Sequence, residues 1–546
     1  MQKKRYLKNI KSLVAIALVL CMALPATMVF AAASKWVEPA TAASYKHDTD
    51  KSVIEIRLSM GNWGTEKFEN TPVHDWWLKN HNIKLIFDLI PGDNYQQDLI
   101  ARIAAKTDVP DVFIAPNRGL MYQWASQGVT INDLTGVIND YMPTYSQILD
   151  DEDLKTAKTE KGAIVGVPFR PSPIDNVWMV RKDWLDALNL QVPKTFEDIY
   201  KIGVAFTKND PDKNGKNDTY AFNEWGNQMF VGVTAAYGVS GTLTGVPNWH
   251  LKNNKLVWAL ETQEFKNAVT WYAKAVSEGL FYPDWSNQEA VSYDQFGSAM
   301  ASNKFGIFPA ASWWIADPWN TAMKAKAGNR MEWISVPNIR GVDGQVRAPQ
   351  RTPVSGQWFV LNSALKNEEA KLIRIGRFLD QLMSAPNEGY LVTFSGVQKD
   401  GTPTLGGKIV EVTGGNLAED QTDCWWFTKN FTYASVRSLD QSLDQVQKGK
   451  QLLQADPRRL LLQLPARKQT RGVDTIDPFF DLTATQRWGA EQQKFISASL
   501  MGFLTGNTPM AEWDKFVDTV MKKYNGNRMK DIYLKQLQNQ GFKVTK

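Results

Sequence analysis

The sequence predicts an α/β protein of two lobes, each built around a parallel β-sheet. The chain has 546 residues, apolar runs alternate with amphipathic helical patterns, and the composition is 43% apolar and 22% charged. A chain of this length exceeds one ordinary hydrophobic core and is expected to divide into lobes. The composition is that of a folded globular protein rather than a disordered one.

The predicted alternation of strands and helices begins at residues 53–58, where apolar and charged side chains alternate as in a half-buried strand. Apolar runs at 83–90 and 112–114 predict two further strands, and helical patterns occupy the intervals at 68–80 and 95–103. The order strand, helix, strand, helix, strand predicts parallel pairing through right-handed crossovers.

Later segments continue this pattern. Thr195 is a candidate helix N-cap with Asp198 three residues on, and an apolar helical stripe over 265–276 stops at Gly279. Further elements are expected as strands at 305–308, 334–336 and 358–361 and as helices over most of 488–538.

The two predicted lobes share the chain discontinuously. We assign residues 51–170 and 336–395 to an N-terminal lobe, and residues 171–335 and 396–546 to a C-terminal lobe. Residues 32–50 are small and polar and predict a flexible tether.

The N-terminal residues have the features of an export signal. Residues 1–31 contain five basic and no acidic residues, and an apolar stretch at 13–24 precedes a small-residue cleavage pattern that ends at Ala31. A signal peptide over 1–31 predicts an extracellular protein, associated with the cell membrane if the chain keeps an anchor. An uncleaved anchor is one alternative, because the apolar stretch approaches spanning length, and lipidation of Cys21 is another, although Leu20 before it is not small.

Removal of the signal changes the charge of the chain. The formal net charge of +5 falls to zero when the five basic residues are lost, so the isoelectric point of 8.8 favours neither a nucleic-acid partner nor an anionic membrane surface. Cys424 is then the remaining cysteine, and an intrachain disulfide is excluded.

Residues 210–218 form the clearest local motif, a calcium-loop pattern with Gly215 at the turn position. The expected oxygen ligands, with the fourth acting through its backbone carbonyl, are Asp210, Asp212, Asn214, Lys216 and Asp218. The closing position is Ala221 rather than Glu, so a sixth ligand is expected from Glu224, Thr219 or water. We predict a structural Ca²⁺ here, and a metal-free Asp/Asn/Gly turn is the alternative.

The aromatic content points to carbohydrate. The chain has 21 tryptophans, and many lie beside Gly, Pro, Asn or Asp at predicted strand ends. An indole stacks on the apolar face of a sugar while polar side chains bind its hydroxyls, in loops after the carboxyl ends of strands. The candidate ligand-binding residues are Asn62, Trp63, Asn117, Arg170, Trp178, Trp313, Trp314, Gln357, Trp358, Trp425 and Trp426. The alternative is that individual tryptophans belong to the core.

Familiar catalytic motifs are absent from the sequence. The four histidines form no H-E-x-x-H pattern, and neither a G-x-S-x-G elbow nor a dinucleotide-binding G-x-G-x-x-G occurs. The first hypothesis is a binding protein and not an enzyme. A secreted glycoside hydrolase or lyase is the alternative, because the separation of paired carboxylates is decided only in three dimensions. A structural or sensory surface protein is a third hypothesis.

Four stretches carry a family resemblance: 100–116, which ends in Asp-Val-Pro-Asp-Val-Phe-Ile-Ala-Pro, 165–185, 195–218, and Gly-Gln-Trp at 356–358. In order and spacing they resemble the extracellular solute-binding proteins of family 1. The likeness is greatest to the large Gram-positive members and to the alginate-oligosaccharide-binding proteins. It covers nearly the whole chain after the signal.

The resemblance implies a two-lobed periplasmic-binding-protein-like fold, with an oligosaccharide in the cleft beside the hinge. It implies calcium in the 210–218 loop, where Thr219 replaces an acidic residue of the alginate-binding relatives. It implies sugar stacking by the tryptophan pairs at 313–314 and 425–426. It also implies delivery of the sugar to the permease subunits of an ABC importer. We expect a monomer that binds no nucleic acid.

Overall fold

The computed structural model describes most of the chain from residue 37 to residue 545. The described residues are 37, 39–62, 72–91, 94–149, 154, 156–159, 161–168, 176–243, 246–286, 302–311, 331–349, 358–384, 387–389, 392, 472–480 and 485–545. The predicted signal peptide at 1–31 lies outside them. Within these residues, no helix is both long enough and apolar enough to cross a membrane.

Strands and helices alternate along the described chain. The strands are β1 Ile54–Asn62, β2 Ile83–Pro91, β3 Val112–Ala115, β4 Val167–Pro168, β5 Asn176–Arg181, β6 Tyr220–Phe222, β7 Trp249–Lys252, β8 Lys255–Trp258, β9 Phe305–Ala311, β10 Trp333–Val336 and β11 Trp358–Leu361. The helices are α1 Pro72–His81, α2 Tyr95–Ala105, α3 Arg118–Ser126, α4 Thr135–Tyr141, α5 Tyr145–Ile148, α6 Lys182–Ala187, α7 Phe196–Lys208, α8 Gln228–Ala236, α9 Gln263–Ser277, α10 Glu369–Met383, α11 Gln486–Leu504, α12 Trp513–Lys522 and α13 Gly526–Asn539.

The first sheet has the strand order β2-β1-β3-β11-β4. β1 pairs in parallel with β2 and β3, with Ile54 opposite Ile83 and Leu58 opposite Val112, which confirms the predicted parallel unit. β11 runs antiparallel to β3 and β4, so the sheet is mixed and the expectation of an all-parallel sheet is corrected. β11 returns from a distant part of the chain rather than through its own helical crossover, and such a strand is free to run in either direction.

The second sheet has the order β10-β5-β9-β6. β5 runs antiparallel to both β10 and β9, and β6 pairs in parallel with β9. The prediction of a parallel sheet in this lobe is therefore wrong for β5, although the predicted strands themselves are present. β7 and β8 form a separate antiparallel hairpin.

Two hydrophobic cores accompany the two sheets. The first takes its buried residues from 56–167 and 358–392, and the second takes them from 178–339 and 476–544. In the second core the rings of Trp249 and Trp258 stack 4.9 Å apart and 5° from parallel. The predicted C-terminal helices are confirmed as α11, α12 and α13, and they pack on this core because each buries one apolar face against it.

The helix-end signals predicted from sequence are present in the structure. Thr195 Oγ1 accepts a hydrogen bond from the backbone N–H of Asp198 at 3.1 Å. The Asp198 carboxylate accepts one from the backbone N–H of Thr195 at 3.0 Å, and the two bonds form a capping box for α7. Gly279 has φ +69°, the left-handed conformation that ends a helix after α9.

Residues 39–50 differ from the expected flexible tether. The Tyr45 hydroxyl donates to Asp380 Oδ2 at 2.7 Å, and the buried Asp48 carboxylate accepts from Arg374 Nε at 2.8 Å and from Arg377 Nη1 at 2.9 Å. Small and polar composition predicted mobility, but these side chains find partners on α10 that lie more than 300 residues away in the chain. This part of the segment is therefore an anchored component of the first lobe.

Candidate functional site

The carboxyl ends of β1, β2 and β3 meet at one edge of the first sheet, because the three strands are parallel. Asn62 is the last residue of β1, opposite Pro91, and its side chain lies outside the described structure. Asn117 follows β3 and caps α3, where its Oδ1 accepts the N–H of Leu120 at 2.9 Å. Two predicted ligand-binding residues thus share the edge at which α/β sheets hold ligands.

Two predicted ligand-binding tryptophans lie inside the lobes. Trp178 is 2% exposed and packs on Phe196 with ring centroids 5.8 Å apart, and Trp358 is 4% exposed and donates from its indole N–H to Thr156 Oγ1 at 3.2 Å. Each residue belongs to a strand with neighbours on both sides, which explains the burial. Their burial argues against a sugar-stacking role in this conformation.

The other predicted ligand-binding residues lie outside the described part of the chain, and their roles stay predictions. They are Trp63, Arg170, Trp313, Trp314, Gln357, Trp425 and Trp426.

Arg118, directly after Asn117, connects the two cores and was missed by sequence reasoning. Its Nη1 donates to the backbone carbonyl of Asp477 at 2.7 Å, and its Nε donates to the carbonyl of Thr156 at 2.9 Å. Asp477 in turn accepts the N–H of Trp249 at 3.0 Å and so belongs with the second core. The arginine fork therefore joins the first lobe, beside the carboxyl edge of its sheet, to the second lobe.

The backbone of the calcium-loop motif forms a tight turn. Asp210, Lys213 and Gly215 have φ of 45°, 55° and 78°. Asp210 Oδ1 accepts the N–H of Asn214 at 3.1 Å, and its Oδ2 accepts the N–H of Gly215 at 2.9 Å. The bond from Gly215 is the main reason that the pKa of Asp210 lies below its usual value. The first carboxylate of the motif is thus held in place by the loop's own backbone.

The other two carboxylates of the loop face nitrogen donors. Asn214 Nδ2 donates to Asp212 Oδ2 at 3.1 Å and to Asp218 Oδ1 at 3.0 Å. Asn303 Nδ2 also donates to Asp212 Oδ2, at 2.9 Å, and the Lys304 ammonium donates to Asp218 Oδ2. Lys304 lowers the pKa of Asp218, whereas burial, followed by the adjacent Asp210 carboxylate, raises the pKa of Asp212. Amide and ammonium hydrogens thus supply positive charge around the loop.

Two of the sixth-ligand candidates have hydrogen-bond partners of their own in the second lobe. Glu224 is fully buried and accepts the N–H groups of Met229 and Phe230 at 2.9 Å and the Tyr272 hydroxyl at 3.0 Å. The Thr219 hydroxyl donates to the carbonyl of Phe206 at 2.8 Å. Both side chains are engaged within the second lobe, and the suggestion that either completes a calcium shell stays a prediction.

The loop nevertheless has the chemistry that calcium requires. Within the described residues, no three His, Cys, Asp or Glu side chains are arranged to hold a metal ion. However, Asp210, Asp212, Asn214 and Asp218 supply hard oxygens at alternate positions of one turn. Asp212 Oδ1 and Asn303 Oδ1 are buried beside it and accept no hydrogen bond from the described residues. Buried oxygens without donors fit a cation, once the amide of Asn214 turns its oxygen inward.

Residues 63–388 match the family model for bacterial extracellular solute-binding proteins, which covers more than half of the chain. The chain belongs to this family.

Three curated relatives resemble this solute-binding protein in sequence. A polygalacturonan/rhamnogalacturonan-binding protein of Bacillus subtilis is 25% identical over 70% of this chain and 72% of the relative. The lipoprotein LipO of the same organism is 23% identical over 81% and 84%. A fructooligosaccharide ABC transporter substrate-binding protein, FusA, of Streptococcus pneumoniae is 30% identical over 42% and 47%.

Solved structures confirm the two-lobed fold of this solute-binding protein. An EF-hand mutant of S. pneumoniae FusA in complex with fructo-nystose superposes with a TM-score of 0.64 at 18% identity, over 90% of this chain and 99% of that one. The alginate-binding protein AlgQ2 without calcium ion superposes with a TM-score of 0.62 at 16% identity, over 90% and 98%. The first of these proteins thus has an EF-hand, and the second is described with respect to calcium.

Proposed function

We propose that this solute-binding protein captures an oligosaccharide between its two lobes and delivers it to the membrane permease of an ABC importer. The observation that carries the proposal is the family match, together with relatives whose names specify polygalacturonan, rhamnogalacturonan or fructooligosaccharide. Two of the three relatives are named as binding proteins, one of them as the substrate-binding protein of an ABC transporter, which supports a function without catalysis. We propose that the working form is a monomer that binds no nucleic acid.

The proposed mechanism is closure of the lobes around the sugar. The carboxyl edge of the first sheet, with Asn62 and Asn117, offers polar groups for hydroxyls, and the predicted tryptophans offer apolar faces for the rings. A ligand that contacts both lobes binds the closed state more tightly than the open state. The difference between the two binding free energies sets how far the ligand shifts the protein towards the closed state. Arg118 joins the lobes next to this edge through its hydrogen bond to the carbonyl of Asp477.

We propose further that calcium binds in the 210–218 loop and has a structural role. Its two positive charges, together with the Lys304 ammonium on Asp218, would balance the three carboxylates of the loop, and the ion would tie the end of α7 to the start of β6. With calcium at a hundredfold excess over its Kd, folding would gain about 2.7 kcal/mol by mass action. A chelator should therefore lower the melting temperature of the wild type and leave that of an Asp210→Ala/Asp212→Ala variant unchanged.

Export by residues 1–31 and action at the outer surface of the cell complete the proposal. A lipoprotein among the relatives supports attachment to the membrane. Labelling the chain with radioactive palmitate, with and without Cys21→Ala, distinguishes an attached lipid from a released protein.

Isothermal titration calorimetry tests the proposed ligand class. Oligosaccharides of galacturonate, fructose and alginate are titrated into the protein, and saturable binding of at least one is expected. Absence of binding across all three would refute the proposed ligand class. Prolonged incubation with the bound sugar should release neither new reducing ends nor unsaturated products, and turnover would instead identify a hydrolase or lyase.

A further inference from the structure

The calcium loop lacks a closing ligand of its own. Ala221, at the position where a glutamate would complete the shell, is a buried residue of β6, and the nearby Thr219 and Glu224 are engaged elsewhere. Calcium takes six to eight oxygens, so loop residues and water alone make a weak site. The inference below rests on the proposed calcium site and concerns the residue that completes it.

Asn303 lies next to the loop although it is 91 residues away from Asp212 in the chain. It occupies the turn before β9, and β9 pairs in parallel with β6, with Phe305 opposite Tyr220. The backbone N–H of Tyr220 donates to the carbonyl of Lys304 at 2.8 Å and fixes this register. The sheet therefore brings the turn of Asn303 beside the point where the loop enters β6.

The Asn303 side chain points its amide into the loop. Its Nδ2 donates to Asp212 Oδ2 at 2.9 Å, and its Oδ1 is buried and accepts no hydrogen bond from the described residues. A buried oxygen without a donor is unfavourable, so packing holds the side chain at this place although its oxygen is left unsatisfied. An amide oxygen is a hard ligand of the kind that calcium prefers.

We propose that Asn303 supplies the oxygen that closes the calcium site from outside the loop, in place of the missing glutamate. Without the ion, its amide nitrogen donates to Asp212, and with the ion, its amide oxygen becomes a ligand. The neighbouring Lys304 donates to Asp218 Oδ2. The oxygen of Asp218 that remains for the ion is therefore Oδ1, which accepts from Asn214 when the ion is absent. The site is then divided between the 210–218 loop and the turn before β9.

The test is calorimetric titration of Ca²⁺ into chelator-stripped full-length protein. Asn303→Ala removes the oxygen and should weaken calcium binding about tenfold or more, whereas Asn303→Asp adds a carboxylate and should tighten it by a similar factor. Asn254→Ala is the matched control, because Asn254 has the same φ of 62° as Asn303 but lies in the exposed β7–β8 turn. The calcium affinity of this variant should equal that of the wild type.

The possible outcomes separate the inference from the calcium proposal. If the wild type binds calcium and Asn303→Ala binds it equally well, Asn303 is not a ligand and the loop proposal stands. If the wild type takes up no calcium, both are refuted. If Asn303→Ala does not fold, Asn303→Asp decides, and an affinity no higher than that of the wild type overturns the inference.

Discussion

Replacement of Arg374 by methionine should open the first lobe at its N-terminal anchor. Arg374 lies on α10, is 1% exposed, and donates from Nε to both oxygens of Asp48 at 3.0 and 2.8 Å. The same guanidinium donates to the backbone carbonyls of Asp50 at 2.6 Å, Asn82 at 2.8 Å and His81 at 3.1 Å. One side chain thus joins residues 48–50, the turn before β2 and α10.

The loss of stability in Arg374→Met depends on the buried polar groups that lose a hydrogen-bond donor. Asp48 would keep Arg377 as a partner, but its buried carboxylate would lose its main donor, and the four carbonyls of Asp50, Ser52, His81 and Asn82 would each lose one donor. Breaking a buried ion pair from one side costs about 3–5 kcal/mol. Asp48→Asn with Arg374→Met should cost less than the two single changes added together, because the double variant no longer leaves a buried Asp48 carboxylate without Arg374.

Hydrogen exchange read peptide by peptide is the suitable assay, since it reports the first lobe separately from the second. Peptides over 45–62 and 72–91 should exchange through an opening that is about 3–5 kcal/mol easier in Arg374→Met. Arg340→Met, at an exposed arginine, should change exchange by no more than about 0.5 kcal/mol. A change below about 1 kcal/mol in Arg374→Met would refute the anchoring role and return residues 39–50 to the status of a tether.

Three further predictions concern the second lobe and the junction of the lobes. Thr195→Ala removes one half of the capping box and should lower the free energy of unfolding in urea by about 1 kcal/mol, while no change would mean that Asp198 alone suffices. Burial raises the pKa of Glu224 from 4.5 to about 7, so its contribution to stability is complete below pH 4.5 and is lost as the pH rises through about 7. Glu224→Gln should flatten the unfolding free energy between about pH 5 and 8, and an unchanged slope would contradict the burial argument. Arg118→Ala should lower the free energy of unfolding by about 1.5–3 kcal/mol and speed hydrogen exchange of residues 472–480. Unchanged exchange there would show that the hydrogen bond to Asp477 does not stabilise this segment.

Sequence patterns predicted the local elements well. The alternation at 53–58 became β1, the Thr195 and Asp198 pair became a capping box, and Gly279 ended α9. Each signal lies within a few residues of the element it specifies, so neighbouring side chains and backbone are enough to decide it.

The same patterns did not reveal how distant segments pair. The antiparallel direction of β11, the burial of Trp178 and Trp358, and the anchoring of Asp48 all depend on strands and helices that arrive from elsewhere in the chain. Tryptophans at strand ends were expected at a ligand surface, but membership of an inner strand placed these two inside the lobes.

The sequence by itself determined the α/β alternation, the family resemblance and the spacing of oxygen ligands over 210–218. All three depend on residue types at fixed spacings along the chain. The tertiary structure decided which partners these runs meet. Asn303 reaches Asp212 across 91 residues, Arg374 reaches Asp48 across 326, and Arg118 reaches Asp477 across 359. Contacts at such separations follow from sheet register and core packing, which no local pattern encodes.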